Sequence, residues 1–165
     1  MQRDFQPGGK SDKKRGDPRA CPEKLRLSEL PLVTGVLFDK NCGMNTVLVV
    51  DDDKDIRDML SAVLSAEGSV VQTTDSLLGA LNILNLNIEI ALMFLDYNLP
   101  GMPMPDFLTE VRAIAPKIGI ILISAADHVA EKAQKYGIKY YLGKPIDFDE
   151  LRKVMSASLA DSAKN

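Results

Sequence analysis

Histidine occurs once in this 165-residue chain, at His128, and cysteine only twice, at Cys21 and Cys42. The two cysteines have no CxxC spacing and no neighbouring histidine, which removes the usual zinc patterns. They offer no disulfide framework either, and the composition fits a reducing, cytoplasmic setting. Long apolar runs are missing as well. The longest near the start, "LPLVTGVLF" from Leu30 to Phe38, is interrupted by Pro31. It falls short of the about 20 residues that cross a bilayer. It also lies too far in, and lacks the cleavage site, for a signal peptide. Positive charge is scarce where the apolar pattern is strongest. Residues 1–43 hold nine Lys/Arg against six Asp/Glu, whereas residues 44–165 hold eleven against seventeen. A carboxyl-terminal part with a balance of −6 is poorly suited to neutralising phosphates, so nucleic acid is not an expected partner, nor is a membrane.

The length suits one domain of ordinary size. Residues 1–43, with "QPGGKSDKKRGDPRACPEK", are rich in Gly, Pro and charge and poor in core formers, the composition of a flexible extension. The cluster Lys13, Lys14 and Arg15 is read as part of a solvated tail. Met44 stands just before the first strong strand, so a folded domain is expected over 44–160, with a short tail at 161–165.

From Thr46 onward two periods alternate. Strands are predicted at Val47–Val50, Val70–Thr73, Ile90–Leu95, Ile118–Ser124 and Lys139–Leu142. Between them lie helical patterns. Ile56, Met59, Leu60, Val63 and Leu64 form one apolar face, and Gly68 supplies a stop. A second helix spans about Ser76 to Leu86. A third starts near Pro105 and carries Phe107, Leu108, Val111 and Ile114. A fourth begins at Asp127, and a fifth runs from Phe148 to about Leu159. Five strands alternating with five helices imply an α/β fold, a doubly wound parallel sheet with helices on both faces. In such sheets ligands bind at the carboxyl ends of the strands.

Those ends are polar. The first strand runs into Asp51, Asp52 and Asp53, the third ends in Asp96, the fourth in Ser124, and Lys144 follows the fifth. Three consecutive carboxylates are costly, because two charges about 6 Å apart at an effective dielectric of about 20 repel by roughly 3 kcal/mol. One aspartate would serve as a helix cap, and Asp53 is assigned that part. The others suit a hard cation such as Mg²⁺, bound by one or two carboxylates, waters and a phosphate oxygen. Such an ion would also shield Asp96 as it attacks phosphorus.

Together "VLVVDDD", "LDYNLPGM", "LISAA" and "YLGKP" occur in the order and at the separations of one family. Over about residues 46–159 the chain resembles a response regulator receiver domain of two-component signalling. The resemblance implies a flavodoxin-like strand order 2-1-3-4-5. It implies that Asp96 accepts a phosphoryl group from a histidine kinase or histidine phosphotransferase, catalysing only its own phosphorylation and dephosphorylation. Asp52 would be a direct Mg²⁺ ligand, supported by Asp51, by Asp96 and by the backbone carbonyl of Asn98. Lys144 would pair with a phosphoryl oxygen and form a cis bond to Pro145, and Ser124 would hydrogen-bond the attached group. Tyr141 matches the switch aromatic, favoured over Tyr140 because alternation points Tyr140 to the other face. The output would pass to another protein, either by phosphorelay onward or by docking of the face of helix four, strand five and helix five, on which a homodimer could also be built. With six residues beyond Leu159, the expectation is a stand-alone receiver.

Two departures accompany the match. Pro103 and Met104 replace the family's Asp-Gly pair, and Met104, preceding Pro105, is expected to be extended. Asn98 and Ala126 stand where the family tunes acyl-phosphate lifetime, and neither blocks water, so an ordinary lifetime is expected. His128 is expected to be exposed and offers no phosphodonor site. A haloacid dehalogenase-type phosphohydrolase is a rival, but it places its nucleophile in a DxD pattern on the first strand. A flavin module is opposed by three aspartates where a phosphate cradle would sit. A degenerate receiver used as an interaction platform is opposed by the completeness of the site residues.

Overall fold

β1, Thr46–Val50, is an interior strand of the sheet, and its four apolar residues are divided between two layers. In the computed structural model, which describes residues 45–86, 88–125 and 128–162, Val47 through Val50 are all fully buried. Strand side chains alternate in direction, so Leu48 and Val50 join one core cluster and Val47 and Val49 the other. Residues 1–44, with both cysteines and the anticipated extension, lie outside the described residues.

The remaining elements follow in strict alternation: α1 (Lys54–Ala66), β2 (Val70–Thr74), α2 (Leu77–Asn85), β3 (Ile90–Asp96), α3 (Met104–Ile114), β4 (Gly119–Ser124), α4 (Val129–Lys135), β5 (Tyr140–Gly143) and α5 (Phe148–Ser162). All strand pairs are parallel and the sheet order is β2-β1-β3-β4-β5. Leu48, Val50, Met93, Leu95 and Leu122 face the layer built with Leu81, Phe107, Val111 and Ala133. Val47, Val49, Phe94, Ile121 and Ile123 face Leu60, Leu64, Leu151 and Met155. The uninterrupted apolar runs of β1, β3 and β4 are those of strands covered on both faces. No described helix is long and apolar enough to cross a membrane.

Local chemistry explains the boundaries. Asp53 caps α1, its side chain accepting from the Asp55 amide at 2.9 Å. Gly68 closes that helix at φ +85°, with its amide bonded to the Ser65 carbonyl and the Ser69 amide to Leu64.

Three expectations need correction. Met104 is the first residue of α3 and not extended, because the Pro103 carbonyl receives both the Asp106 and Phe107 amides and closes a turn around it. Pro105 is tolerated there because first-turn amides have no helical partner anyway. α4 starts at Val129 and not at Asp127, since His128 adopts φ +73°, a left-handed geometry that interrupts a helix. Asp127 itself lies outside the described residues. α5 continues through Ser162, so Asp161 and Ser162, expected in a tail, are helical.

Gly79 yields a test of packing against propensity. It is the third residue of α2, and its amide donates to the Ser76 hydroxyl at 3.3 Å. A Cβ at this position would stand 2.1 Å from Thr74 Oγ1. Helix propensity favours alanine by about 1 kcal/mol, whereas overpacking costs about 1–3 kcal/mol. Gly79→Ala should therefore lower the thermal midpoint, with a smaller loss in a Thr74→Ala background. A rise in midpoint would show that the contact relaxes freely.

Candidate functional site at the carboxyl edge of the sheet

The parallel register carries each candidate residue to one edge. Val50 pairs with Leu95, so the next residues, Asp51 and Asp96, emerge side by side. Ser124 pairs with Gly143, which places Lys144 immediately beyond it, and the Lys144 amide donates to the Ser124 carbonyl at 2.9 Å. The Lys144–Pro145 peptide is cis, in agreement with expectation.

The side chains converge. One carboxylate oxygen from each of Asp51, Asp52 and Asp96 lies within 4.8 Å of the others. Asp51 and Asp96 are buried, whereas Asp52 is exposed. Lys144 Nζ stands 2.8 Å from Asp51 Oδ2 and 3.2 Å from Asp96 Oδ1. The first contact is an aligned hydrogen bond; the second is an ion pair that leaves the buried Asp96 Oδ1 without a hydrogen bond. Asp51 Oδ1 accepts from the Asp53 amide at 2.9 Å.

Burial pushes the Asp96 carboxyl above its ordinary value, Lys144 opposes that, the charge of Asp51 adds to it, and the Asn98 amide also works against it. Desolvation and like charge prevail over the ammonium because Lys144 is shared with Asp51. For Lys144, burial favours loss of the proton. The Asp51 hydrogen bond and the charges of Asp96 and Asp51 outweigh it, so the ammonium is held above its usual range. A carboxylate cluster with an under-satisfied buried oxygen is a donor set that fits a hard divalent cation. Asp51, Asp52 and Asp96 are the residues that could hold one.

Asn98, two residues past Asp96, contributes its backbone amide to the Asp96 carboxylate. Ser124 is buried at the end of β4. Tyr141 stands apart from this group. It lies on β5 opposite Leu122 and is 38% exposed. Tyr140 points to the opposite face, where its hydroxyl donates to Asp161 at 2.7 Å. His128 is exposed, with Nδ1 3.2 Å from Glu131 Oε1.

Two features were not anticipated. Arg57 Nη1 donates to the Asp51 carbonyl at 2.7 Å. A position one helical turn past an N-cap aspartate is the available signal, because that turn lies beside the strand end it follows. Lys132 Nζ lies 4.1 Å above the ring of Tyr97, whose ring is 6.3 Å from Tyr136. This joins the residue after Asp96 to α4, and nothing in local spacing signals it.

Comparison with known proteins agrees with this architecture. The family model described as "Response regulator receiver domain" matches residues 47–156. The transcriptional regulatory protein MalR of Bacillus subtilis is 34% identical over 117 residues, 68% of this chain and 49% of MalR. The two-component response regulator ORR12 of rice is 30% identical over 115 residues, 67% of this chain and 94% of ORR12. The crystal structure of the chemotaxis response regulator CheY4 of Vibrio cholerae superposes with a TM-score of 0.62 at 28% identity, covering 70% of this chain and 98% of CheY4. The chain spans 49% of the first curated relative it matches and 27% of the next. From its folded core, its acidic edge and these matches, the chain belongs to the response regulator receiver domain family of two-component signalling.

Proposed function

We propose that this domain accepts a phosphoryl group on Asp96 from a phosphohistidine of a histidine kinase or phosphotransferase, and that the modified edge then alters docking to a downstream protein. The observation that carries the proposal is the meeting of the three carboxylates within 4.8 Å, with Lys144 Nζ 3.2 Å from Asp96. In the transfer, an Asp96 oxygen forms a bond to phosphorus while the phosphorus–nitrogen bond breaks. The electron pair stays on the imidazole, which takes a proton from solvent. Asp51, Asp52 and Asp96, with the Asn98 carbonyl, would hold Mg²⁺, which would supply charge neutralisation for the incoming phosphoryl oxygens.

The chain's own groups do the remainder. Burial of Asp96 removes water that would compete for the phosphoryl group. Lys144 offsets the charge of Asp96 before transfer and pairs with a phosphoryl oxygen after it. Ser124, buried at the end of β4, donates its hydroxyl to the same group. Its engagement draws in the loop that follows β4, with Tyr141 turning toward the space vacated. This is a local charge change biasing a two-state element. The balance of −6 over residues 44–165 favours a protein partner over nucleic acid, and a composition with two cysteines and no CxxC spacing suits a cytoplasmic site of action.

Incubation of the chain with acetyl phosphate and Mg²⁺ tests the assignment by intact mass. A single phosphoryl adduct is expected on the wild type and none on Asp96→Ala. Absence of the adduct on wild type, or its persistence in the variant, would overturn it.

The raised Asp96 pKa gives a second expectation, with a defined sign. A carboxyl whose folded pKa lies above its unfolded one favours folding at low pH, and that contribution is lost as pH rises through the folded value. In metal-free buffer, Asp96→Asn should unfold at a higher temperature than wild type at pH 7. The two midpoints should converge below the ordinary carboxylate range. Mg²⁺ should narrow the gap at pH 7 by stabilising the wild type more. A lower midpoint for Asp96→Asn at pH 7 would mean that Lys144 outweighs burial.

A further inference from the structure

Asp52 is the least constrained of the three clustered acids. It is exposed, and its carboxylate has no partner among the described residues. Only its backbone aims it at the cluster. That backbone is fixed from one residue upstream, where every polar atom of Asp51 is held. The Asp51 amide donates to the Thr74 carbonyl at 3.2 Å, and its carboxylate oxygens accept from the Asp53 amide at 2.9 Å and from Lys144 at 2.8 Å. The fourth anchor, on the Asp51 carbonyl, is the Arg57 guanidinium at 2.7 Å.

We propose that Arg57 is a positioning residue: by holding the Asp51 carbonyl, it sets the direction of the Asp52 carboxylate for cation binding. The proposal rests on the reading of the acidic cluster as a Mg²⁺ site. The carbonyl of Asp51 and the amide of Asp52 belong to one planar unit. Fixing the carbonyl therefore fixes the plane from which Asp52 departs. A guanidinium-to-carbonyl bond is charge-assisted and directional, as suits such a clamp. The clamp is itself anchored, because the Arg57 amide donates to the Asp53 carbonyl at 3.1 Å in the first turn of α1. Asp53, Arg57 and Asp51 thus close a loop of bonds around the Asp51–Asp52 peptide.

Arg57 forms no ion pair with a carboxylate among the described residues, so its engaged nitrogen serves the backbone. This sets two effects of opposite sign against each other. A fixed positive charge near the cluster repels a second cation, so removing it by Coulomb's law alone would tighten Mg²⁺ binding. Loss of the clamp would instead loosen Asp52 and weaken binding, as losses of ligand-orienting partners do by about tenfold or more. The direction of the change identifies the role.

Calorimetric titration of the full chain with MgCl₂ at constant ionic strength reads this out. Arg57→Met should weaken Mg²⁺ binding by about tenfold. Arg57→Gln, neutral but still able to donate to a carbonyl, should recover part of the loss. In an Asp52→Asn background, Arg57→Met should cause no further loss, because the carboxylate it aims is gone. Without metal, Arg57→Met should speed amide exchange at Asp52 and Asp53 while leaving the last turns of α1 unchanged. If Arg57→Met does not fold, Arg57→Gln carries the test: binding tighter than wild type overturns the clamp. Unchanged or tighter binding in Arg57→Met, or an equal loss in the Asp52→Asn background, overturns it as well. A wild type that binds no Mg²⁺ would instead contradict the reading of the cluster, and the metal-free exchange at Asp52 would still judge the clamp.

Discussion

Two buried carboxylates share one ammonium at the carboxyl edge of this sheet. Asp51 and Asp96 emerge from neighbouring strands, and Lys144 reaches both, at 2.8 and 3.2 Å. One positive charge cannot fully offset two negatives in a buried place, and the exposed Asp52 adds a third. Burial, with the charge of Asp51 adding to it, displaces the Asp96 pKa upward against the pull of Lys144. Much of the surrounding structure holds this arrangement in place. The parallel register sets Asp51 beside Asp96, the Ser124 carbonyl holds the Lys144 amide, and the Asp53 amide and Arg57 brace Asp51. An edge with surplus negative charge is a donor set that suits a hard cation.

The two apolar layers make that crowding sustainable. Each central strand sends alternate residues into opposite clusters, so the sheet is packed on both faces and resists splaying at its end. Displacing the carboxylates would mean moving β1 against β3, where Val47, Val49, Leu92 and Phe94 are all fully buried. The site is rigid because its scaffold is. α4, seven residues long and following His128 at φ +73°, has one buried residue, Ala133, where each of the other helices has at least two.

Much of this was legible in the residues because it depends on local period and on chemistry at strand ends. The runs Val47–Val50 and Ile90–Leu95 could be read as covered strands, and the polar residues following them as one edge, before any coordinates. Asp53 as a cap and Gly68 as a stop rest on near-neighbour rules that hold without context. What escaped depends on longer-range or cooperative geometry. Met104 is helical because the Pro103 carbonyl gathers two amides, which outweighs the preference of a residue before proline. The displaced start of α4 depends on the backbone of His128, which its residue type does not announce. The contact of Lys132 with Tyr97 joins positions 35 apart and leaves no pattern in sequence. The reach of Arg57 to Asp51 required knowing how α1 leaves the strand.

The central claim is chemical: among three clustered aspartates, the buried one on β3 forms the acyl phosphate. Borohydride reduces an aspartyl phosphate to homoserine and leaves free carboxylates alone. The most direct measurement is to phosphorylate the chain with Mg²⁺ present, reduce it with borohydride, and sequence its peptides by mass spectrometry. Homoserine at position 96 alone is the predicted result. Homoserine at position 51 or 52, or at none of the three after a phosphoryl adduct has been seen, would contradict the account.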